Sequence, residues 1–346
     1  MSLAGHSLVL RRAWPRSADH LLLEYVSDRG EIVPGQWTRD ERELEHACAV
    51  TRRGALRPDR VRTVAIGTAD WRILLQAGGE DRVLHGLAPL LEQPQTELIV
   101  HRPERRAVVR CGAGDSTRTY AKFLPPRKVA DLVRREQLLR AGAARGFDMP
   151  RLLAGNVEAG MVRYSSAPGT SLHDLLPDVD EGTMGAMGDA LRGLHEISLE
   201  AGSMPIHGPA EELGVLSRWM HHLRAFDPQH ADQMEEEFQR IAERLRGDSG
   251  ECATIHRDFY DKQVFIDGGR ITFLDFDTVA MGDPALDIGN MIEHLEHRSA
   301  PAALAAAFLD GYGPAANAML SRIDTYRQAA HVRLRCVHAF RPPFST

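Results

Sequence analysis

One stretch limits what this chain can become more than any other. Residues 255–287, IHRDFYDKQVFIDGGRITFLDFDTVAMGDPALD, crowd seven aspartates, one histidine and one glutamine into and around a short apolar hairpin. Residues 264–267 and 270–274 are β-branched and apolar, and Gly268-Gly269 supplies the turn between them. Antiparallel pairing brings the outer ends of two such strands together. Asp258 and Gln263, just before the first strand, then stand beside Asp275 and Asp277, just after the second. Oxygen donors without cysteine or paired histidine suit Mg2+ far better than Zn2+. Magnesium held by one or two carboxylates completes its shell with water and phosphate oxygens. The spacing therefore predicts a phosphoryl-transfer centre at the mouth of the hairpin.

The spelling of the stretch adds a family. His256-Arg257-Asp258, the amide at Gln263 and Asp275-Phe276-Asp277 resemble the catalytic and metal loops of the aminoglycoside phosphotransferase and choline kinase family, relatives of the protein kinases. Gly282-Asp283-Pro284 followed by Asp287 is similar to the segment after the metal loop in the small-molecule branch. The resemblance implies an α+β, two-lobed protein-kinase-like fold, ATP as donor (with GTP left open) and Mg2+ as the metal. It makes Asp258 the catalytic base, puts Gln263 and Asp275 on the metal, and has His256 steady the catalytic loop. Asp277 either assists a second metal or caps the loop. The family usually has asparagine where this chain has Gln263, which offers the same carbonyl oxygen one methylene further out. Glutamine there, and an N-terminal cap, are similar to the maltokinase-like branch.

Totals exclude several other classes. With 346 residues, 43% hydrophobic and 26% charged, the chain is ordinary globular material, enough for two or three domains. A net charge of −6 argues against nucleic-acid partners. No apolar run approaches the length of a membrane span, and the N-terminus lacks the basic region and long apolar core of a signal peptide. Cys48, Cys111, Cys252 and Cys336 are far apart and form no CxxC pair, so isolated thiols in the cytoplasm are expected.

Taken in order, residues 1–95 read as a β-rich cap. It has a meander over 7–11, 21–25 and 31–37, a hairpin over 61–66 and 71–75, and a helix over 81–91; residues 44–50 are either a short helix or an irregular link. Nothing in the cap spells chemistry, and a packing role is expected for it. Residues 96–165 read as a small lobe: strands 97–101, 107–111 and 118–123, a helix over 128–144, then strands 151–156 and 160–164. Lys122 sits in an apolar strand, where a lysine costs desolvation unless it meets anions. By the family resemblance Lys122 meets nucleotide phosphates and a helix glutamate, and Glu136 is the only glutamate in the helix that follows. The plainer alternatives are an outward-facing lysine, and local pairing of Glu136 with Arg134, Arg135 or Arg140.

The turn at 102–106 has no glycine to bring backbone amides close to phosphate. Either Arg106 substitutes by charge or the segment is a plain hairpin turn. Residues 165–170 break the pattern as a hinge, whose backbone at Ser166 and Ala167 would hold the adenine by the same resemblance. Residues 166–346 then form a mostly helical large lobe, with helices over 185–197, 211–226, 232–245, 285–296, 302–311 and 315–340. His195 is expected to be a buried structural residue, and Asp287 a buttress. By resemblance the helices at 211–245 line the acceptor pocket; Glu235-Glu236-Glu237 there either attracts a cation or forms a solvated face. The expected acceptor is a small-molecule hydroxyl of the sugar or aminocyclitol type. Choline would need an aromatic cage, and aromatics are 6% of the chain. A non-catalytic nucleotide-binding regulator is the rival, given Gln263 and the glycine-free turn.

Overall fold

The computed structural model describes residues 2–3, 6–66, 71–114, 117–142, 146–247 and 250–342. The cap is one six-stranded sheet rather than a separate meander and hairpin. Strands His6–Ser17, His20–Ser27 and Ile32–Thr38 pair in sequence. Ile32–Thr38 then pairs with Trp71–Gln76 through Gly35↔Leu75 and Gln36↔Leu74, joining the two halves. Residues 67–70, the expected hairpin turn, lie outside the described residues. Helix Glu41–Gly54 covers the sheet, so the uncertain segment at 44–50 is fully helical. Asp40 caps it by accepting from Arg42 N and Glu43 N, and Leu44 and Ala47 pack with Val61 and Leu74.

The helix expected over 81–91 is a correction, because only Leu87–Leu91 is helical. Asp81 Oδ1 accepts from Val83 N and Leu84 N, a local bond that holds an irregular turn in place of the first helical turns. The other Asp81 oxygen is engaged by His101 and by Glu104 N.

In the small lobe the five expected strands form one antiparallel sheet in the order Leu152–Asn156, Met161–Ser165, Thr119–Phe123, Arg106–Cys111, Thr96–Arg102. Helix Pro126–Gly142 buries Val129 and Leu132 against Leu124 and Val162. Lys122 therefore lies on the central strand, one face of which is apolar core.

The large lobe carries the hairpin that organises the site. Val264–Asp267 and Arg270–Phe273 pair as the sequence predicts, and Thr170–Ser171 from the hinge adds a third strand. Around them pack helices Glu181–His195, Pro209–Phe226, Pro228–Gly247, Ala285–His297, Ala302–Tyr312 and Leu320–Ala339. Met187, Leu191, Phe259, Phe273, Ile288 and Met291 are at the centre of the main core. Gly188 lets Glu181–His195 lie directly against the Ala302–Tyr312 backbone, since a Cβ there would collide with Phe308 O. The helix expected over 315–340 is broken: Pro314–Asn317 forms a short turn before Leu320–Ala339 begins. The cap touches this lobe through Ala13 N, which donates to Phe340 O at 3.0 Å, and through Arg39, which donates to Ala225 O at 3.3 Å. No described helix is long and apolar enough to cross a membrane.

Candidate active site

Strand Ala253–Ile255 delivers the chain into His256-Arg257-Asp258, where Arg257 takes a positive φ of 72°. A left-handed backbone at a residue with a side chain costs about 1–3 kcal/mol and needs outside support. Asp287, fully buried at the start of helix Ala285–His297, supplies it. One carboxylate oxygen accepts from His256 N at 2.6 Å and the other from Arg257 N at 2.7 Å. His195 Nε2 is 3.1 Å from Asp287, and its Nδ1 is 2.9 Å from the Tyr312 hydroxyl. His195 is thus the buried structural residue expected of it. His256 Nε2 donates to Leu274 O at 2.7 Å, and its ring lies 4.8 Å from that of Phe276. The histidine therefore ties the loop of Asp258 to the loop of Asp275, and leaves Asp258 half-buried in the wall of a cavity.

Asp275 also has left-handed backbone, at φ 62° and ψ 57°. That turn aims Asp275 and Asp277 at one point, and Lys122 fills it: Nζ is 2.6 Å from Asp275 Oδ1 and 2.6 Å from Asp277 Oδ1. Arg106 Nη1 lies 3.3 Å from the other Asp275 oxygen. The two carboxyls are pushed apart in acidity. Burial opposes ionisation of Asp275, but the charges of Lys122 and Arg106 outweigh it and hold that carboxyl well below the usual range. Burial, joined by the charge of Asp275, lifts Asp277 above its ordinary value against the pull of Lys122. Burial alone would lower Lys122, yet the two aspartates raise it, so it stays a cation.

Gln263 is buried beside them, with its backbone oxygen accepting from Leu274 N at 2.8 Å, and its side-chain amide makes no hydrogen bond among the described residues. Among the described residues no three His, Cys, Asp or Glu side chains gather as a metal-binding group. The donor set on offer is two carboxylates and one amide oxygen, and an ammonium already sits between the carboxylates. Those are fitting surroundings for a hard divalent ion that takes further oxygens from water and phosphate.

Glu136 is not brought to Lys122. It is 2.6 Å from the Tyr164 hydroxyl and 3.4 Å from Arg140, one of the local partners the sequence offered. Lys122 is already matched by two aspartates, and burial raises the Glu136 carboxyl, which favours a hydroxyl neighbour. Ser166 N is taken by Arg118 O at 3.3 Å, whereas Ala167 N donates to nothing among the described residues. Ala167 N is thus a hinge backbone donor left free among the described residues.

Two cavities meet at Asp275 and Asp277. One, of about 360 Å³, is lined by Val108, Tyr120, Met149, Phe265 and Phe276, by hinge residues Ser166 and Ala167, and by Lys122, Glu136 and Gln263. The other, of about 570 Å³, contains Asp258 and Arg106. Its far wall is the surprise. Trp14, Pro15, Arg16 and Leu22 of the cap stand there, whereas Trp219 is the sole contributor from the helices at 211–245. The cap therefore does more than pack, and of the helices expected to line the acceptor pocket Trp219 reaches this cavity. Glu235, Glu236 and Glu237 pair instead with Arg224, Arg240 and Arg335 on the surface. Trp14 and Arg16 went unnoticed because no local pattern marks them; their role comes from packing against a turn some ninety residues away.

Comparison with known proteins agrees with this geometry. The chain belongs to the phosphotransferase enzyme family (APH), which its residues 99–328 match. Among curated protein sequences none matches. Among solved structures, amicoumacin kinase hAmiN, in complex with AMP-PNP, Ca2+ and Ami, is similar at 14% identity and a TM-score of 0.54, over 70% of this chain and 80% of that one. Spectinomycin phosphotransferase APH(9)-Ia, in complex with ADP and spectinomycin, is similar at 12% identity and a TM-score of 0.52, over 70% and 82%. Aminoglycoside phosphotransferase APH(3'')-Id from Streptomyces rimosus follows at 18% identity and a TM-score of 0.50, over 70% and 93%. These likenesses establish the two-lobed, protein-kinase-like α+β architecture.

Proposed function

We propose that this phosphotransferase moves the γ-phosphate of ATP to a hydroxyl of a small molecule of the sugar or aminocyclitol type, in the cytoplasm. The observation that supports it best is the junction of two cavities at Lys122, Asp275 and Asp277, with Asp258 facing one cavity and the hinge facing the other. The base would sit against the hinge, with Ala167 N free to donate to it. Lys122 would neutralise the phosphate tail and align it. Asp275, Gln263 and Asp277 would hold Mg2+, which when bound would neutralise phosphate charge. Asp258 would accept a hydrogen bond from the acceptor hydroxyl and orient its oxygen. As the new oxygen–phosphorus bond forms and the bond to ADP breaks, the hydroxyl proton passes to Asp258. Proton transfer comes late in a loose transition state, so orientation matters more than basicity.

ATP consumption over a panel of sugars, aminocyclitols and amino alcohols tests the proposal, with Asp258→Ala as control. Turnover should appear with at least one acceptor and fall by about three orders of magnitude in the variant, while Mg·ATP still shifts the melting temperature of both. Binding of Mg·ATP with no turnover over the panel would favour the regulator instead. Equal turnover in parent and variant would remove Asp258 from the chemistry.

A further inference from the structure

The 570 Å³ cavity is richer in positive charge than a receptor for amines could tolerate. Its walls carry six cations, Arg16, Arg102, Arg105, Arg106, Lys128 and Arg135, against the four aspartates Asp131, Asp258, Asp275 and Asp277. Most of these are matched. Arg106 lies by Asp275, Arg135 is 2.6 Å from Asp131, Arg16 is 2.9 Å from Glu104, and Lys122 holds Asp277 from behind. Arg102, Arg105 and Lys128 are left with no carboxylate in ion-pair range among the described residues. Among the described residues Asp258 is the one aspartate of the four with no cation in ion-pair range, although its charge reaches Arg102 and Arg106.

Arg102 is the most exceptional of the three. Its guanidinium lies 4.4 Å over the Trp14 ring, and its Nε is buried without a hydrogen-bond partner. Burial, with Arg106 and Arg12 close by, lowers its pKa to about 10 against the pull of Asp258 and Glu24. Burial and Arg16 lower Arg105 as well. A crowded, partly buried guanidinium with no ion-pair partner is costly unless an anion relieves it, and Arg102 is one, set over the Trp14 ring with Arg105 on the same turn. The turn that bears them is already fixed, because Glu104 anchors it to Arg16 and Arg82. An anion would therefore meet a formed receptor.

We infer that the acceptor carries an anionic group, a carboxylate or a phosphate, seated between Arg102, Arg105 and Lys128 beside Trp14. Calling the ligand an acceptor rests on the phosphotransferase proposal; the anion site itself does not. The nucleotide tail is the competing occupant, but the hinge and the apolar nucleotide pocket lie on the other side of Asp275 and Asp277. In-line transfer puts donor and acceptor on opposite sides of the phosphorus, and the three cations share their cavity with Asp258. Charge repulsion sets this cavity against amine-bearing acceptors, which narrows the sugar or aminocyclitol class to its acidic sugar members.

Tryptophan fluorescence reads the site directly, because Trp14 and Trp219 both line it. Gluconate, glucose 6-phosphate, glucose and 2-deoxystreptamine are titrated into the full chain, with and without saturating Mg·AMP-PNP. One or both anions should give a saturable change in both conditions, with gluconate and glucose 6-phosphate separating carboxylate from phosphate. Glucose and 2-deoxystreptamine should bind at least tenfold more weakly. The double variant Arg105→Ser/Lys128→Ser, both exposed positions, should weaken the anion at least tenfold while keeping the parent melting temperature. Equal binding of the neutral or amine probe, displacement of the anion by AMP-PNP, or an unaffected double variant would overturn the inference. Anion binding with no ATP consumption by any probe would leave the anion site standing and count against the phosphotransferase proposal alone.

Discussion

Glu104 Oε2 and Arg16 Nη1 meet at 2.9 Å, joining the turn of the small lobe to the cap. Arg82 grips both oxygens of the same carboxylate, at 2.7 and 3.1 Å, and Gln36 adds a bond at 3.2 Å. Glu104 itself has a φ of 60°, with its N–H on Asp81. Where a glycine-rich phosphate loop owes its shape to backbone freedom, this turn owes its shape to charge.

Glu104→Ala should accordingly cost about 3 kcal/mol, because it strands Arg82 and Arg16 in a poorly solvated place. Arg16→Ala should cost about 1 kcal/mol, since Arg82 remains on the carboxylate. Urea unfolding followed by circular dichroism separates the two, and equal small losses would show that the turn holds itself.

Lys122→Met should destabilise the chain by about 3 kcal/mol and weaken Mg·ATP binding at least tenfold, since two buried carboxylates lose their shared cation. Lys122→Met/Asp277→Asn should recover part of the stability and none of the binding. A double-mutant cycle of unfolding free energies measures the coupling. Additive losses would mean that Lys122 and Asp277 do not interact in solution.

Asp287 acts on Asp258 only through backbone, as a positioning residue. Asp287→Asn keeps the size of the side chain but can accept from only one of the two N–H groups of His256 and Arg257. Once an acceptor is in hand, kcat should fall by about ten- to a hundredfold, with the KM for ATP within about twofold. A rise in KM without loss of kcat would point to a role in nucleotide binding instead.

Acid should loosen the large lobe through His294. Burial, followed by the charges of Arg333 and Arg298, holds this imidazole down at about 3 against an ordinary 6.5. Protonation therefore favours the unfolded chain: the stability is complete above pH 6.5 and is lost as the pH falls toward 3. At pH 5 the loss should be about 2 kcal/mol. His294→Gln should flatten the dependence of unfolding free energy on pH between 6.5 and 5, and an unchanged slope would assign the acid sensitivity elsewhere.

What the sequence made legible was local. The Gly268-Gly269 turn and two short apolar runs were enough to place the hairpin and to bring Gln263 beside Asp275 and Asp277, with Asp258 lining the adjoining cavity, because turn chemistry and strand period act over a few residues. Asp283-Pro284 likewise marked a helix start, and Asp287 a buttress. The misses had both local and long-range causes. Glu136 had the right helix and spacing, but Tyr164, on a neighbouring strand, competes for it at 2.6 Å. The helix over 81–91 failed because one Asp81 oxygen holds a local turn through Val83 N and Leu84 N while the other is spent on His101 and Glu104 N, twenty and more residues on. Trp14 and Arg16 carry no signature at all until the cap is laid across the cleft.

That cap lies outside the matched family segment, residues 99–328, yet it forms a wall of the cavity that holds Asp258. Changes at Trp14, Pro15 or Leu22 would therefore reshape that cavity without touching Lys122, Asp275 or Asp277, whereas a change at Arg16 would also reach the turn through Glu104. The wall that faces Asp258 is thus drawn from two distant lengths of the chain, the cap and the turn and helix of the small lobe.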